Sequence, residues 1–313
     1  MIKLLGLVIL ILQLVACEPE EEIFDLEEYL INSGMSDVGL IGCLTSNYEI
    51  SSINELEELT SLQCDNMGIN SISDIGILSG LENLYLSHNN ISTIEFNEEI
   101  NLKRLIVDYE NNLANVSIIN LPNIYSINLQ NVSLEYLEIS NNSQLSRIIL
   151  ESMSAETIEI TDSDDLYEIT IDSITASNFN LNHNHKLTLF QPRNSNLAQV
   201  SINNMDLLHG IDNNTDTIIS ELYVVNLPAL FLVDLIGSQL NHIELNNTPR
   251  LLTLNLSNNN IISIDLDNIN LDNHYDFDIA GSIYHCLVNL LENPLTIESQ
   301  DYLQSINDFY IEF

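Results

Sequence analysis

A pair of apolar side chains separated by one residue returns every 10 or 11 residues along most of this chain. The beat opens with Leu62/Cys64 and Leu84/Leu86 and runs on through Ile94/Phe96, Leu105/Val107 and Val116/Ile118. It blurs at Phe190/Pro192, resumes with Val200/Ile202, and closes with Ile264/Leu266, Tyr275/Phe277 and Cys286/Val288. A fixed period of this length means a solenoid, because each unit can bury its apolar side only against its neighbours. The chain therefore reads as one elongated body. Its outer surfaces are where a ligand would bind.

Two registers interleave. Register A has beats at Leu62, Leu84, Leu105, Ile127, Ile148, Ile169, Phe190, Ile211, Val233, Leu254 and Tyr275. Register B has Ile72, Ile94, Val116, Leu137, Ile158, Phe179, Val200, Leu222, Ile243, Ile264 and Cys286. Within each register every step is 21 or 22 residues. An apolar-x-apolar triplet puts two side chains on one side of a strand and the middle one on the other. Each coil should thus carry two short parallel strands, one per face. A further apolar residue three before most beats, such as Leu81, Leu102, Leu145 or Leu251, should fill the coil between them. Asn, Ser and Asp occupy the intervening turns, where Asn tolerates the left-handed conformation and can hydrogen-bond backbone groups. Pro192 falls on a strand position of register A and cannot donate to a ladder, which predicts a break or bulge over 186–196.

The stretch Leu81-x-x-Leu84-x-Leu86-x-x-Asn89-x-Ile91-x-x-Ile94 resembles the leucine-rich repeat consensus. Residues 251–266 (LLTLNLSNNNIISIDL) are similar to the nested 21-residue class, and the first coils, Leu59 to Leu81, are more like the internalin type. The resemblance covers about residues 55–290 and implies a mainly β solenoid with two parallel sheets, an N-terminal cap helix and a short C-terminal cap. Ile23–Asn32 has helical apolar spacing and resembles the cap helix of bacterial members. Gly42-Cys43-Leu44-Thr45 resembles the link into the first coil, and Ser299–Phe309 can form an amphipathic turn over the last. Two nearly equal strands per coil should give a flatter stack than a helix-backed horseshoe. The fold itself names no ligand.

Residues 1–16 read as a secretory signal, with Lys3 ahead of an apolar run too short for a membrane span of ~20 residues. Leu14-Val15-Ala16-Cys17 resembles the lipobox of bacterial lipoproteins, which implies a diacylated Cys17. The following Glu18-Pro19-Glu20-Glu21-Glu22 looks like the acidic export signal of Bacteroidetes-type surface lipoproteins. As physics it is a short charged tether. The expected order is signal peptide 1–16, lipidated Cys and tether 17–22, N-terminal cap 23–54, solenoid 55–290 and C-terminal cap 291–313, anchored at the bacterial outer membrane with the outer face exposed. Cys64 and Cys286 fall on inward beats and read as small buried hydrophobes. A Cys43–Cys64 disulfide is open to an oxidising compartment.

The chain has 46 acidic residues against 7 Lys and Arg, a formal net charge of −39. That balance argues against nucleic acid as a partner, since phosphate binding needs clustered cations. The outward middle residues of register B are mostly acidic, among them Glu95, Glu138, Glu159, Glu244 and Asp265. Those of register A begin apolar, with Tyr85, Ile106 and Ile149, and turn acidic later. Lys103, Arg104, Arg147, Lys186, Arg193 and Arg250 all fall on face A or the turns entering it. The candidate contact surface is therefore the first half of face A. Tyr85, Ile106, Tyr125 and Ile149 form its apolar centre and Arg104 and Arg147 its polar anchors, the residue types that interface centres favour.

No nucleophile–base constellation is recognisable, so no enzyme is expected. His183 and His185 could share a strand face with a metal, but no third ligand is evident. Asp162-Ser163-Asp164-Asp165 and Asp265-Leu266-Asp267 could offer oxygens to calcium without an EF-hand spacing. No other cofactor is expected. The function that follows is non-catalytic recognition of a protein or glycan by a monomeric, lipid-anchored solenoid. A structural envelope spacer without a specific ligand is the alternative.

Overall fold

The structure, a computed structural model, describes residues 24–96, 100–110, 112–213, 216–269, 277–279, 282–284, 286–306 and 309–313. It is a mainly β solenoid of parallel sheets. Strands such as Asn83–Ser87 and Ser126–Gln130 alternate between buried and half-exposed positions. Most inward beat residues are buried, Phe96 and Ile169 only partly, and the extra aliphatics three before them, Leu81, Leu102, Leu145 and Leu251 among them, are fully buried. With no Trp in the chain the core is aliphatic, and Phe179 and Phe190 are its largest fully buried side chains, their rings 5.6 Å apart.

Face B is one eight-stranded parallel sheet running from Thr93–Glu95 to His242–Asn246. Face A is two six-stranded parallel sheets, one from Ser61–Gln63 to Glu168–Asp172 and one from Leu189–Phe190 to Phe309–Glu312. They separate where Pro192 stands, joined there only by a bridge between Asp172 and Arg193. The break expected from Pro192 is present, because its ring nitrogen has no hydrogen to give.

One residue at each corner adopts positive φ, as at His88, Tyr109, Asn131, Ser152, Ser173 and Asn194 after face A, and Asn120, Asn141, Asp162, His183, Asn204 and Asn226 after face B. Asn is the commonest type there because its short amide tolerates that region. Next to several corners a buried Asn ties coils together. Asn142 Nδ2 donates to the Ile118 carbonyl at 2.8 Å while its Oδ1 accepts from Leu121 N at 2.9 Å. Asn184 and Asn259 donate to Ile160 and Leu235 in the same way. Outside, Asn182, Asn204, Asn226 and Asn247 form an amide ladder at 2.9–3.0 Å per step.

The helices sit at the ends. α1 (Leu26–Asn32) is capped by Asp25, whose carboxylate accepts from Glu28 N. α2 (Val38–Asn47) occupies the segment expected as a simple link around Gly42–Thr45. Its cap explains the difference. Asp37 Oδ1 accepts from Leu40 N at 2.9 Å and its Oδ2 accepts from Asn70 N and Ser71 N at 2.9 and 3.0 Å, so one side chain starts the helix and fastens it to the first coil. Gly39 lets the helix approach, since a Cβ there would lie 2.7 Å from Ile69 N. Cys43 and Cys64 form a disulfide with Cα atoms 5.7 Å apart, joining α2 to the first strand of face A. α3 (Ile53–Glu57) completes the cap. At the other end α4 (Ile297–Ser305) and the strand Phe309–Glu312 close the stack.

The last coil departs from the expected register. Tyr275 lies outside the described residues. Phe277–Ile279 pairs antiparallel with Ser282–Tyr284 instead of joining face A. Cys286–Asn289 then joins face A, with Leu254 opposite Val288, so this beat belongs to register A and not to B. The same two-residue beat serves either face, so an inserted hairpin shifts the phase without disturbing the pattern. Ile72 and Ile264 are buried as expected but lie outside strands.

Candidate recognition surface

Sheet pairing turns sequence positions into rows across face A. Tyr85, Ile106, Asn128, Ile149 and Thr170 are successive partners and make one row. Asn83, Arg104, Ser126, Arg147 and Glu168 make the next, on the same side two residues earlier. The structure therefore gathers Tyr85, Arg104, Ile106 and Tyr125. Arg104 is their junction. Its Nη2 donates to the Tyr125 hydroxyl at 3.0 Å and its guanidinium carbon lies 5.6 Å from the Tyr125 ring centre. A hydrogen bond with Tyr85 is the main cause holding the guanidinium above its ordinary pKa, with Tyr125 adding to it. Its Nε is buried and has no partner, as is Asn128 Oδ1 in the row beside it.

Arg147 and Ile149 lie two strands further on, beyond Ser126–Gln130 and outside this cluster. Arg147 Nε pairs with Glu168 at 3.2 Å. Lys103 pairs with Glu82 at 2.6 Å and Lys186 with Asp165. Arg147 is thus partly neutralised, whereas Arg104 is held against aromatic rings. Face B is acidic where expected. Glu138 and Glu159 are direct partners on adjacent strands, and the Tyr136 hydroxyl donates to Glu159 at 2.7 Å, burial and these carboxylates pushing the phenol well above its usual pKa.

The second half of face A carries a surface that the middle-residue reading missed. Leu189, Gly210, Leu232 and Thr253 are successive partners one position before the beat, and Leu287, the middle residue of the Cys286/Val288 beat, continues their row. Leu189 is 40% exposed, and its Cδ1 lies over Gly210, where a Cβ would come within 2.8 Å. Beside this row Phe231 is 43% exposed and stacks on His209, ring centres 5.5 Å apart. The row after the beat is polar. Asp212 and Asp234 are direct partners, and Gln191 Nε2 donates to Asp212 at 2.8 Å. Burial, and then Asp212, push the Asp234 carboxyl above its usual pKa, and its Oδ1 is buried without a partner. The signal was present in the sequence as an apolar residue immediately before the beat, at Leu189 and Leu232.

Cys17 lies outside the described residues. Cys286 is buried with a free thiol that burial pushes up to about 12. His183 faces Asp162 at 3.2 Å, and His185 lies between Asp206 at 3.0 Å and Asp164 at 4.0 Å. Asp267 accepts from the Tyr302 hydroxyl at 2.7 Å. Among the described residues no group of three or more His, Cys, Asp or Glu is arranged to hold a metal ion, and no helix is long and apolar enough to cross a membrane.

No family model and no curated protein matches the sequence. By structure the chain is similar to the functional domain of InlJ from Listeria monocytogenes, described as including a cysteine ladder, at 18% identity over 75% of this chain and 72% of that one, TM-score 0.35. It is similar to an internalin of the same organism at 17% identity over 88% and 89%, TM-score 0.33. A leucine-rich repeat protein of Leptospira interrogans is similar at 15% identity over 83% and 85%, TM-score 0.25. At such identities and TM-scores no site, ligand or partner carries across.

Proposed function

We propose that the chain is a non-catalytic recognition protein that binds a protein ligand through the first half of face A and is held at the outer membrane by a lipid on Cys17. The observation that carries the recognition reading is the Arg104 cluster. An Arg stacked on one tyrosine, bonded to a second and set beside the half-exposed Ile106 is a preformed polar anchor in an apolar surround. Interfaces concentrate their energy in such groups. The described histidines stack on rings, as His88 does on Tyr109, or face aspartates.

The test uses the full chain in cells. A partner captured by crosslinking the wild type should fall at least tenfold with Arg104→Glu/Arg147→Glu. Undiminished capture would remove this surface from consideration, and no saturable partner at all would favour the spacer reading. For the anchor, Cys17→Ser should abolish incorporation of a labelled fatty acid and release the chain from the membrane fraction. Retention there would overturn it.

A further inference from the structure

The divided ladder of face A leaves a cleft of about 220 Å³ between Glu168–Asp172 and Leu189–Phe190. Tyr167, Thr170, Leu189, Gln191 and Arg193 line it. Its rim is apolar, since Tyr167 is 59% exposed and Leu189 40%. A cavity of about 150 Å³ accommodates a benzene ring, so this cleft has room for one side chain. From it the row of Leu189, Gly210 and Leu232 leads away toward Phe231, and the Asp212–Asp234 pair runs alongside.

Two features therefore sit side by side. One is a side-chain-sized cleft whose apolar wall continues through the half-buried Leu232 to the exposed Phe231. The other is a pair of adjacent, half-exposed carboxylates, Asp212 and Asp234, whose mutual repulsion an incoming cation would relieve. The surface asks for an apolar group and a cation on one ligand.

Spacing fixes their separation. Adjacent strands are ~4.8 Å apart, so the midpoint of the acid pair lies about two strand spacings, ~10 Å, from the cleft. A chain in the polyproline II conformation advances ~3.1 Å per residue with three residues per turn, so side chains three positions apart lie on one side and about 9 Å from each other. We propose that the second half of face A docks a peptide segment in the polyproline II conformation lying along the solenoid axis, with an aromatic or aliphatic side chain in the cleft and a Lys or Arg three positions away over Asp212 and Asp234. The proposal rests on the recognition reading only in taking face A as a contact surface, and it does not involve the Arg104 cluster.

The experiment measures fluorescence anisotropy of two labelled synthetic peptides of one composition with the full chain. One spaces its anchor and cation as Phe-Ser-Ser-Lys, and the other holds them adjacent as Phe-Lys-Ser-Ser. The spaced peptide should bind saturably and at least tenfold more tightly. Asp212→Asn/Asp234→Asn should weaken it about tenfold. Glu138→Gln/Glu159→Gln, which removes the same charge from face B, should change it less than twofold. Equal binding of the two peptides, equal loss from the two acid pairs, or no saturable binding would each overturn the proposal. The peptide comparison needs no variant, so it stands even if an altered chain folds poorly. Arg104→Glu/Arg147→Glu should bind the spaced peptide no more weakly than wild type, so failure of the first surface and failure of this one are told apart.

Discussion

The two halves of face A share a backbone plan and differ in what they present. The first half joins six strands without interruption, is fastened to its cap by a disulfide and by Asp37, and shows tyrosines, isoleucines and Arg104. The second is set off by the Pro192 break, is interrupted by an inserted hairpin before Cys286–Asn289, and shows leucines, Phe231 and paired aspartates. The inward positions are apolar in both. A solenoid keeps its fold with the buried beat and varies freely in the residues around it, so opposite surfaces can occupy one sheet.

The largest test of that division is truncation of the core. Leu105→Ala in the first half and Leu254→Ala in the second remove fully buried side chains and should each cost about 2–5 kcal/mol. If the halves unfold as one unit, both substitutions lower a single midpoint in urea. If the break uncouples them, Leu254→Ala lowers only one of two transitions, and hydrogen exchange should show protection retained over 83–172.

Next comes reduction of Cys43–Cys64. The bond closes a loop of 21 residues, for which chain entropy gives about 3 kcal/mol. Reduction should loosen the cap and the first coils and leave protection of 232–255 unchanged. Equal loss in both regions would mean that the stack melts as one body.

The smallest effect concerns pH. Asp234 has a raised pKa in the folded chain because of burial first and Asp212 second. Its proton is therefore held more tightly folded than unfolded. That contribution is fully present below the unfolded value near 3.8 and is lost as pH rises through the folded pKa. Acidification from pH ~7 toward ~4 should thus favour the second half, by a midpoint shift on the order of 1–2 °C, and Asp234→Asn should flatten the slope. Asp172, in the first half, has its pKa lowered by Asn194 first, then Ser173, and works in the opposite sense. A wild-type midpoint indifferent to pH together with an unaltered Asp234→Asn profile would contradict the assignment.

The beat made most of this architecture legible. It placed the buried residues, the two faces, the left-handed corners and the break at Pro192, because a buried position repeated on every coil has only one way to be satisfied. It could not tell which face the strand at Cys286 joins, since both faces use the same triplet and only the length of the inserted hairpin decides. Helix α2 was hidden because its anchor, Asp37, bonds the backbone of Asn70 and Ser71, far off in sequence. On the surface the middle residue of each triplet identified Tyr85 and Ile106. The residue before the triplet shares that outward side, and register places Leu189 and Leu232 there on either side of Gly210. Which of Arg104 and Arg147 is clasped by aromatics and which is paired with Glu168 depends on side-chain geometry that no spacing encodes.

The unequal continuity of the two faces has a mechanical consequence. Face B passes its eight strands unbroken through the coil at which face A is divided, so that coil has a hydrogen-bonded spine on one side and a single bridge on the other. Bending stiffness is therefore lowest there, and the direction of easiest flexure opens or narrows face A while face B acts as the binding of a book.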